Sequence, residues 1–214
     1  MYGAYQATYK DKFGEEKTEV QLEENGHQVR IFLRGVEFLG TKFNQLSPND
    51  NNANFKHFLI GDDGCLQTFN LKCEIPVTVI SSDKIDRGLL KITCAINNPE
   101  EDYLKLDLFL NKQSFQSSGS AYGFEDEMHS LGSKLPTGTY LQICSNCLFS
   151  DYNPYVNSGL MGELVCFVNN KDKKNTNRGK GYPGWHEVNP VFVQEIFSCQ
   201  KFEPKEIFMS HNQD

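Results

Sequence analysis

From Phe69 to Val79 every second residue is apolar: Phe69, Leu71, Cys73, Ile75, Val77 and Val79. A period of two places these side chains on one face of an extended chain, whereas a helix would scatter them around its axis. The stretch predicts a long half-buried strand. The same alternation returns in Leu90, Ile92, Cys94 and Ile96. It returns again in Leu104, Leu106, Leu108 and Leu110, with Lys105 and Asp107 between them. Pro76 falls on the opposite face of the first stretch and lacks a ladder donor, which predicts an edge strand or a bulge.

The chain before Phe69 also reads as strands. Thr18 to Glu24, the pair Asn25-Gly26, and His27 to Arg34 form a hairpin signal, because Asn-Gly supplies two residues tolerant of positive φ. Tyr5, Ala7 and Tyr9 predict an earlier strand closed by a turn at Lys12-Phe13-Gly14. Ser47 to Asn54 is a polar loop, and Asp62-Asp63-Gly64 a turn. One helix is predicted, where Phe124, Met128 and Leu131 recur at i, i+4 and i+7. Acidic residues Glu125, Asp126 and Glu127 fill its first turn, and Gly132 is a stop signal. A turn at Pro136-Thr137-Gly138 and a strand over 139–143 follow. Leu164, Cys166 and Val168 alternate, while Val191 to Cys199 fits strand parity and a helix face equally.

The expected fold is therefore α+β and β-dominated, with antiparallel sheets packed as a sandwich, one clear helix and a cysteine-clamped C-terminal part. A Ser/Gln/Gly stretch at 111–123 divides a β-rich part (1–112) from a smaller α+β part (123–209), unless the whole is one domain. Sixteen Phe and nine Tyr exclude a disordered chain. No apolar run approaches the ~18 residues of a membrane span. Neither a basic n-region nor an apolar h-region marks the start, so no secretory signal is expected. A net charge of −7 disfavours nucleic acid and anionic membranes as partners.

Seven cysteines are present, an odd number, which with no signal segment predicts reduced thiols and a cytoplasmic protein. Cys65, Cys73 and Cys94 lie in the strand-like half, where a free cysteine acts as a small hydrophobe. The other four are spaced for chemistry. Cys144-Ser145-Asn146-Cys147 is a C-x2-C, a turn that turns two thiolates toward one ion. Cys166 follows after eighteen residues and Cys199 after thirty-two more. Four thiolates around zinc close a tetrahedral shell and leave no position for water, so the expected zinc is structural and contributes folding free energy. His186 is the substitute ligand if Cys199 is not used. A redox C-x2-C opens a helix whose N-terminus activates the thiol; here Ser150-Asp151 and Asn153-Pro154 favour turns instead.

Cys144-x2-Cys147, Ser150-Asp151-Tyr152-Asn153-Pro154-Tyr155, Gly162-x-Leu164-x-Cys166-Phe167, and Val193-Gln194-Glu195 with Cys199 resemble an uncharacterised bacterial family known only as a domain of unknown function. The quoted residues span about the last third of the chain; Tyr2-Gly3 and Phe13-Gly14-x-Glu16 are looser matches. The chain departs from the pattern at Val156, where a glycine is expected. The resemblance implies a grouping of the four cysteines and no reaction.

Other motifs carry less. Gly179 to Gly184 spells G-x-G-x-x-G, but it follows a Lys/Asn-rich stretch rather than a strand and contains Pro183. Asp50, Asn52 and Asn54 begin like a calcium loop, yet Phe55 replaces the required glycine. The basic run over 171–180 reads as a solvated loop. Tyr152, Tyr155, Tyr182 and Trp185 are the expected exposed aromatic patch for a protein partner. The expected function is a non-enzymatic cytosolic binding protein of immunity type, neutralising a toxin or effector. The alternative is an enzyme of unknown reaction with a reactive C-x2-C thiol or an open zinc position.

Overall fold

The computed structural model describes residues 3–23, 27–50, 54–81, 84–96, 103–119, 123–152, 163–169 and 191–205. Along them run strands β1 (Gly3–Asp11), β2 (Gly14–Leu22), β3 (Val29–Leu33), β4 (Val36–Gly40), β5 (Ser47–Pro48), β6 (Phe69–Ser81), β7 (Lys84–Ile96), β8 (Tyr103–Leu110) and β9 (Gln113–Gln116). Helix α1 (Phe124–Gly132) follows, then β10 (Tyr140–Leu141), β11 (Ser150–Tyr152), β12 (Glu163–Cys166) and β13 (Val191–Gln194). Single 3₁₀ turns occupy Phe43–Gln45 and Cys144–Asn146.

The strands join antiparallel in one ladder of order β5-β4-β3-β2-β1-β6-β7-β8-β9, with β10 added to β6. A second sheet, β11-β12-β13, is small. Among the described residues the fold is thus β-dominated with one helix. All the long strands belong to one continuous ladder, so the connectivity does not itself give the two separate facing sheets of a sandwich.

The alternating residues of β6 are buried at Phe69, Leu71, Cys73, Ile75, Val77 and Val79, and those of β7 and β8 behave alike except Leu110 at the strand end, which is partly buried. They share one apolar core with Val20, Leu22, Ile31, Phe38, Phe43 and Leu66. From the C-terminal part, Phe124, Met128, Leu131, Leu141, Ile143 and Ile196 enter that same core. The proposed division near residues 111–123 is crossed by β9, which pairs with β8, and by the Ser117 N–H, which donates to the Leu106 carbonyl (2.8 Å).

Pro76 lies inside the ladder, between β1 and β7 in strand order. The register removes the conflict: β1 pairs with β6 only from Asn70 to Glu74, and β10 only at Val79 and Ile80. Pro76 faces the interval between them, where no ladder donor is required.

Among the described residues, three hairpin turns have two-residue loops. Lys12-Phe13 joins β1 to β2, and the Phe13 N–H donates to Asp11 Oδ1 (2.8 Å). Arg34-Gly35 joins β3 to β4 with φ of 48° and 80°, and Asn111-Lys112 joins β8 to β9 with φ of 49° and 66°. Positive φ at both positions gives the backbone twist that matches paired strands. The Asn25-Gly26 turn lies outside the described residues, although the Leu22–Val29 pairing of β2 with β3 brackets it.

Helix α1 buries Phe124, Met128 and Leu131 as its spacing requires, and also Glu127. That carboxylate accepts from Ser118 Oγ (3.0 Å) and the Gly119 N–H (2.8 Å), holding the loop after β9 against the helix. Val191 to Gln194 is strand, and the chain turns immediately after it.

Candidate functional site

The C-x2-C begins where β10 leaves the core at Leu141 and Ile143. The backbone tightens into a 3₁₀ turn, and the Cys147 N–H donates to the Cys144 carbonyl (3.0 Å). Ser150 Oγ closes the turn from within, donating to the carbonyls of Cys144 and Cys147. The last described segment wraps this turn. The Cys144 N–H donates to the Phe197 carbonyl (2.7 Å), Ser145 N–H to Glu195 (3.0 Å), Leu148 N–H to Glu203 (2.7 Å), and Lys205 N–H to Asn146 (3.0 Å). Cys147 forms an isolated bridge with Pro204. Cys166 ends β12 and pairs with Ser150 on β11. Cys199 follows β13 and is half-buried, whereas the other three are buried.

All four expected cysteines therefore fall in one neighbourhood, brought there by three separate segments. Burial pushes the Cys144 thiol far up, and the charges of Cys147, Cys166 and Cys199 push it the same way. Burial also raises Cys147 and Cys166. Against it, the Cys147 sulfur accepts from the backbone N–H groups of Glu203 and Phe149, and the Cys166 sulfur from that of Val168. Such donors stabilise a thiolate. Among the described residues no set of three or more His, Cys, Asp or Glu side chains is placed to hold a metal ion. The sulfurs share surroundings without forming a ready-made ligand shell.

Cys73 and Cys94 are buried on adjacent strands β6 and β7 as small hydrophobes. Cys65 sits in the turn before β6, its N–H bonded to Asp63 Oδ1 (3.0 Å).

Of the expected aromatic patch, Tyr152 is 4% exposed and so is not part of an exposed surface. It packs with Cys144, Leu164, Cys166 and Val193, and its hydroxyl donates to Glu195 Oε1 (2.6 Å). A tyrosine ring buried with its hydroxyl satisfied is the usual arrangement when the ring completes a small core. Tyr155, Tyr182 and Trp185 lie outside the described residues, as do His186, the basic run and the G-x-G-x-x-G stretch.

Three side chains were given no role from sequence, although Gln194 and Glu195 stand in the quoted motif. Glu195 is fully buried beside Tyr152. Gln194 Nε2 donates to the His27 carbonyl (2.6 Å) and the Thr41 carbonyl (2.8 Å), fastening the small sheet to the ends of β3 and β4. Lys205 Nζ donates to the Ser145 carbonyl (2.8 Å), on the cysteine turn itself. The available signal was the polar pair Gln194-Glu195 inside an otherwise apolar run, because a charge is retained there only with a partner.

The arrangement defines a β-dominated protein whose C-terminal segments are gathered around a buried cysteine turn. The chain belongs to a family of unknown function (DUF6304), whose pattern matches residues 3–150. The matched residues include Cys144 and Cys147, while Cys166 and Cys199 lie beyond them. A search of curated proteins and of solved structures finds no match. No helix of the described residues is long and apolar enough to cross a membrane.

Proposed function

We propose that this chain is a non-enzymatic, cytoplasmic binding protein whose C-terminal part is clamped by zinc on Cys144, Cys147, Cys166 and Cys199. The observation that carries the clamp is the gathering of these four thiols from three segments, with backbone N–H groups directed at two of the sulfurs. The surrounding core supports the same reading. Among the described residues it holds Cys144, Tyr152, Leu164, Cys166 and Val193 as buried residues, a small core for a three-stranded sheet. Zinc would draw the sulfurs to ligating range and release their protons, and its binding free energy would add to folding.

The reading also favours binding over catalysis. Burial raises the thiols of Cys144, Cys147 and Cys166, which leaves them protonated and unreactive without metal. With zinc, a four-thiolate shell has no open position. The partner is a protein with a basic face, because a net charge of −7 speeds encounter with the opposite sign. An immunity-type role, neutralising a basic toxin or effector, fits that chemistry.

The test is elemental mass spectrometry of the full chain purified without added zinc, beside a native thiol count. About one zinc per chain, with four of the seven thiols protected until chelator is added, is the expected result. Absence of metal together with ready alkylation of Cys144 or Cys147 overturns the clamp.

A further inference from the structure

Helix α1 and the cysteine turn do not close on each other completely. A cavity of about 210 Å³ lies between them, bordered by Glu125, Met128 and His129 of the helix, Ser145 of the turn, Tyr152 of β11 and Lys205 of the last segment. That volume is below the ~300–1,000 Å³ of sites for drug-sized ligands and suits a small metabolite.

The polar groups around it are incompletely used. Ser145 is 8% exposed, and its hydroxyl has no hydrogen-bond partner. Its backbone is occupied on both sides, the N–H by the Glu195 carbonyl and the carbonyl by Lys205 Nζ. Native proteins rarely leave a buried hydroxyl unsatisfied. Lys205 has three N–H bonds, of which the Ser145 carbonyl takes one. Tyr152 donates its proton to Glu195, so its oxygen still accepts. The half-buried Glu125 carboxylate borders the same space and senses the Lys205 charge. No ion pair joins the two side chains among the described residues.

We infer that this cavity is a binding site for a small zwitterion of the free α-amino acid class. The ligand carboxylate meets Lys205 Nζ, joined by the Ser145 hydroxyl once that enclosed group rotates about its Cα–Cβ bond toward the cavity, and the ligand ammonium meets Glu125 and the Tyr152 oxygen. Met128 supplies an apolar wall for the side chain. A simple anion would confront Glu125 and a simple cation would confront Lys205, so only a ligand carrying both charges satisfies the two ends together. The thiols take no part, and the site stands whether or not zinc binds beside it.

The experiment is a titration of the full chain with the standard free amino acids, each beside its N-acetyl and its carboxamide derivative, read by calorimetry and by thermal melting. At least one free amino acid should bind saturably and raise the melting temperature. Blocking either end should weaken it about tenfold or more. Ser145→Ala removes an unpartnered hydroxyl and should fold normally while weakening binding about fivefold or more. Glu125→Gln, at a half-exposed helix position, should do the same. The inference is overturned if no amino acid binds, if blocked derivatives bind as tightly as free ones, or if both variants keep the original affinity.

Discussion

Arg34 and Asp11 form a bidentate ion pair, with Nη1 2.8 Å from Oδ2 and Nη2 2.7 Å from Oδ1, and the Asp11 side chain is 1% exposed. Arg34 sits in the β3–β4 turn and Asp11 at the end of β1. The same guanidinium donates to the His57 carbonyl (2.5 Å) and lies over the rings of Tyr9 and Phe58. One side chain thus binds two hairpin turns and the loop that carries His57 and Phe58. Its backbone φ of 48° is unfavourable for a non-glycine residue, so the side-chain contacts must outweigh that local strain.

Arg34→Met should therefore destabilise the fold by about 3 kcal/mol, because it strands a buried carboxylate. Urea unfolding should show a lower midpoint with an unchanged slope. The loss should depend on pH. Burial alone would raise the Asp11 carboxyl, but hydrogen bonds from Arg34, the Phe13 N–H and Tyr9 outweigh it and hold the group below its ordinary range. A depressed carboxyl stabilises the fold above its unfolded pKa, about 3.9, and that stability is lost as pH falls through the folded value. The gap between native protein and variant should be full at neutral pH and narrow below about pH 4. A gap independent of pH would show that lost packing on Tyr9 and Phe58, rather than charge, is the cause.

Gln194→Leu should loosen the small sheet from the large one. The substitution keeps bulk at a fully buried position but leaves the carbonyls of His27 and Thr41 without the donor they now have. The expected cost is about 1–3 kcal/mol. Amide exchange should quicken first in β13 and in Val29–Leu33, ahead of β6 and β7. Uniform quickening throughout the chain would mean that the two sheets already open together.

Tyr152→Phe deletes one hydroxyl and nothing else. Glu195, fully buried, loses the 2.6 Å bond from Tyr152 Oη. A buried acceptor deprived of its donor should cost about 1–3 kcal/mol, read as a fall in the melting temperature at neutral pH. Equal melting temperatures at neutral pH would show that this bond contributes nothing to stability.

How much of this was readable follows from what periodicity can see. The faces of β6, β7 and β8 were legible because Leu71, Ile92 and Leu106 recur at period two in long runs. Helix α1 was legible for the matching reason at period 3.6. The turns at Arg34-Gly35 and Asn111-Lys112 were not, since Arg and Lys are seldom found at positive φ. Strand β9 hides in a Ser/Gln/Gly stretch because it lies at the sheet edge with little apolar face to display. Glu127 was invisible as a buried group, because a pattern argument sends a carboxylate to solvent, and Glu195 was marked only by its place in an apolar run. For the candidate site, spacing alone grouped the four cysteines. The Ser145, Glu125 and Lys205 cavity needed the fold, since those residues come together only after the last segment wraps the cysteine turn.

Cys144→Ser and Cys73→Ser separate the two roles assigned to cysteine. Cys73 is wholly buried between β1 and β7 with no thiol role beyond packing, so a hydroxyl there should cost about 1–3 kcal/mol across the whole fold and leave metal content alone. Cys144 instead belongs to the proposed clamp. Its serine variant should lose zinc and release protection selectively in β11, β12 and β13, while the β6–β7 ladder stays protected from exchange. Added chelator should reproduce that pattern in native protein and change nothing further in the variant. If Cys144→Ser retains its zinc, or if both variants lose protection in the same places, Cys144 is a packing residue like Cys73 and the four-cysteine clamp fails.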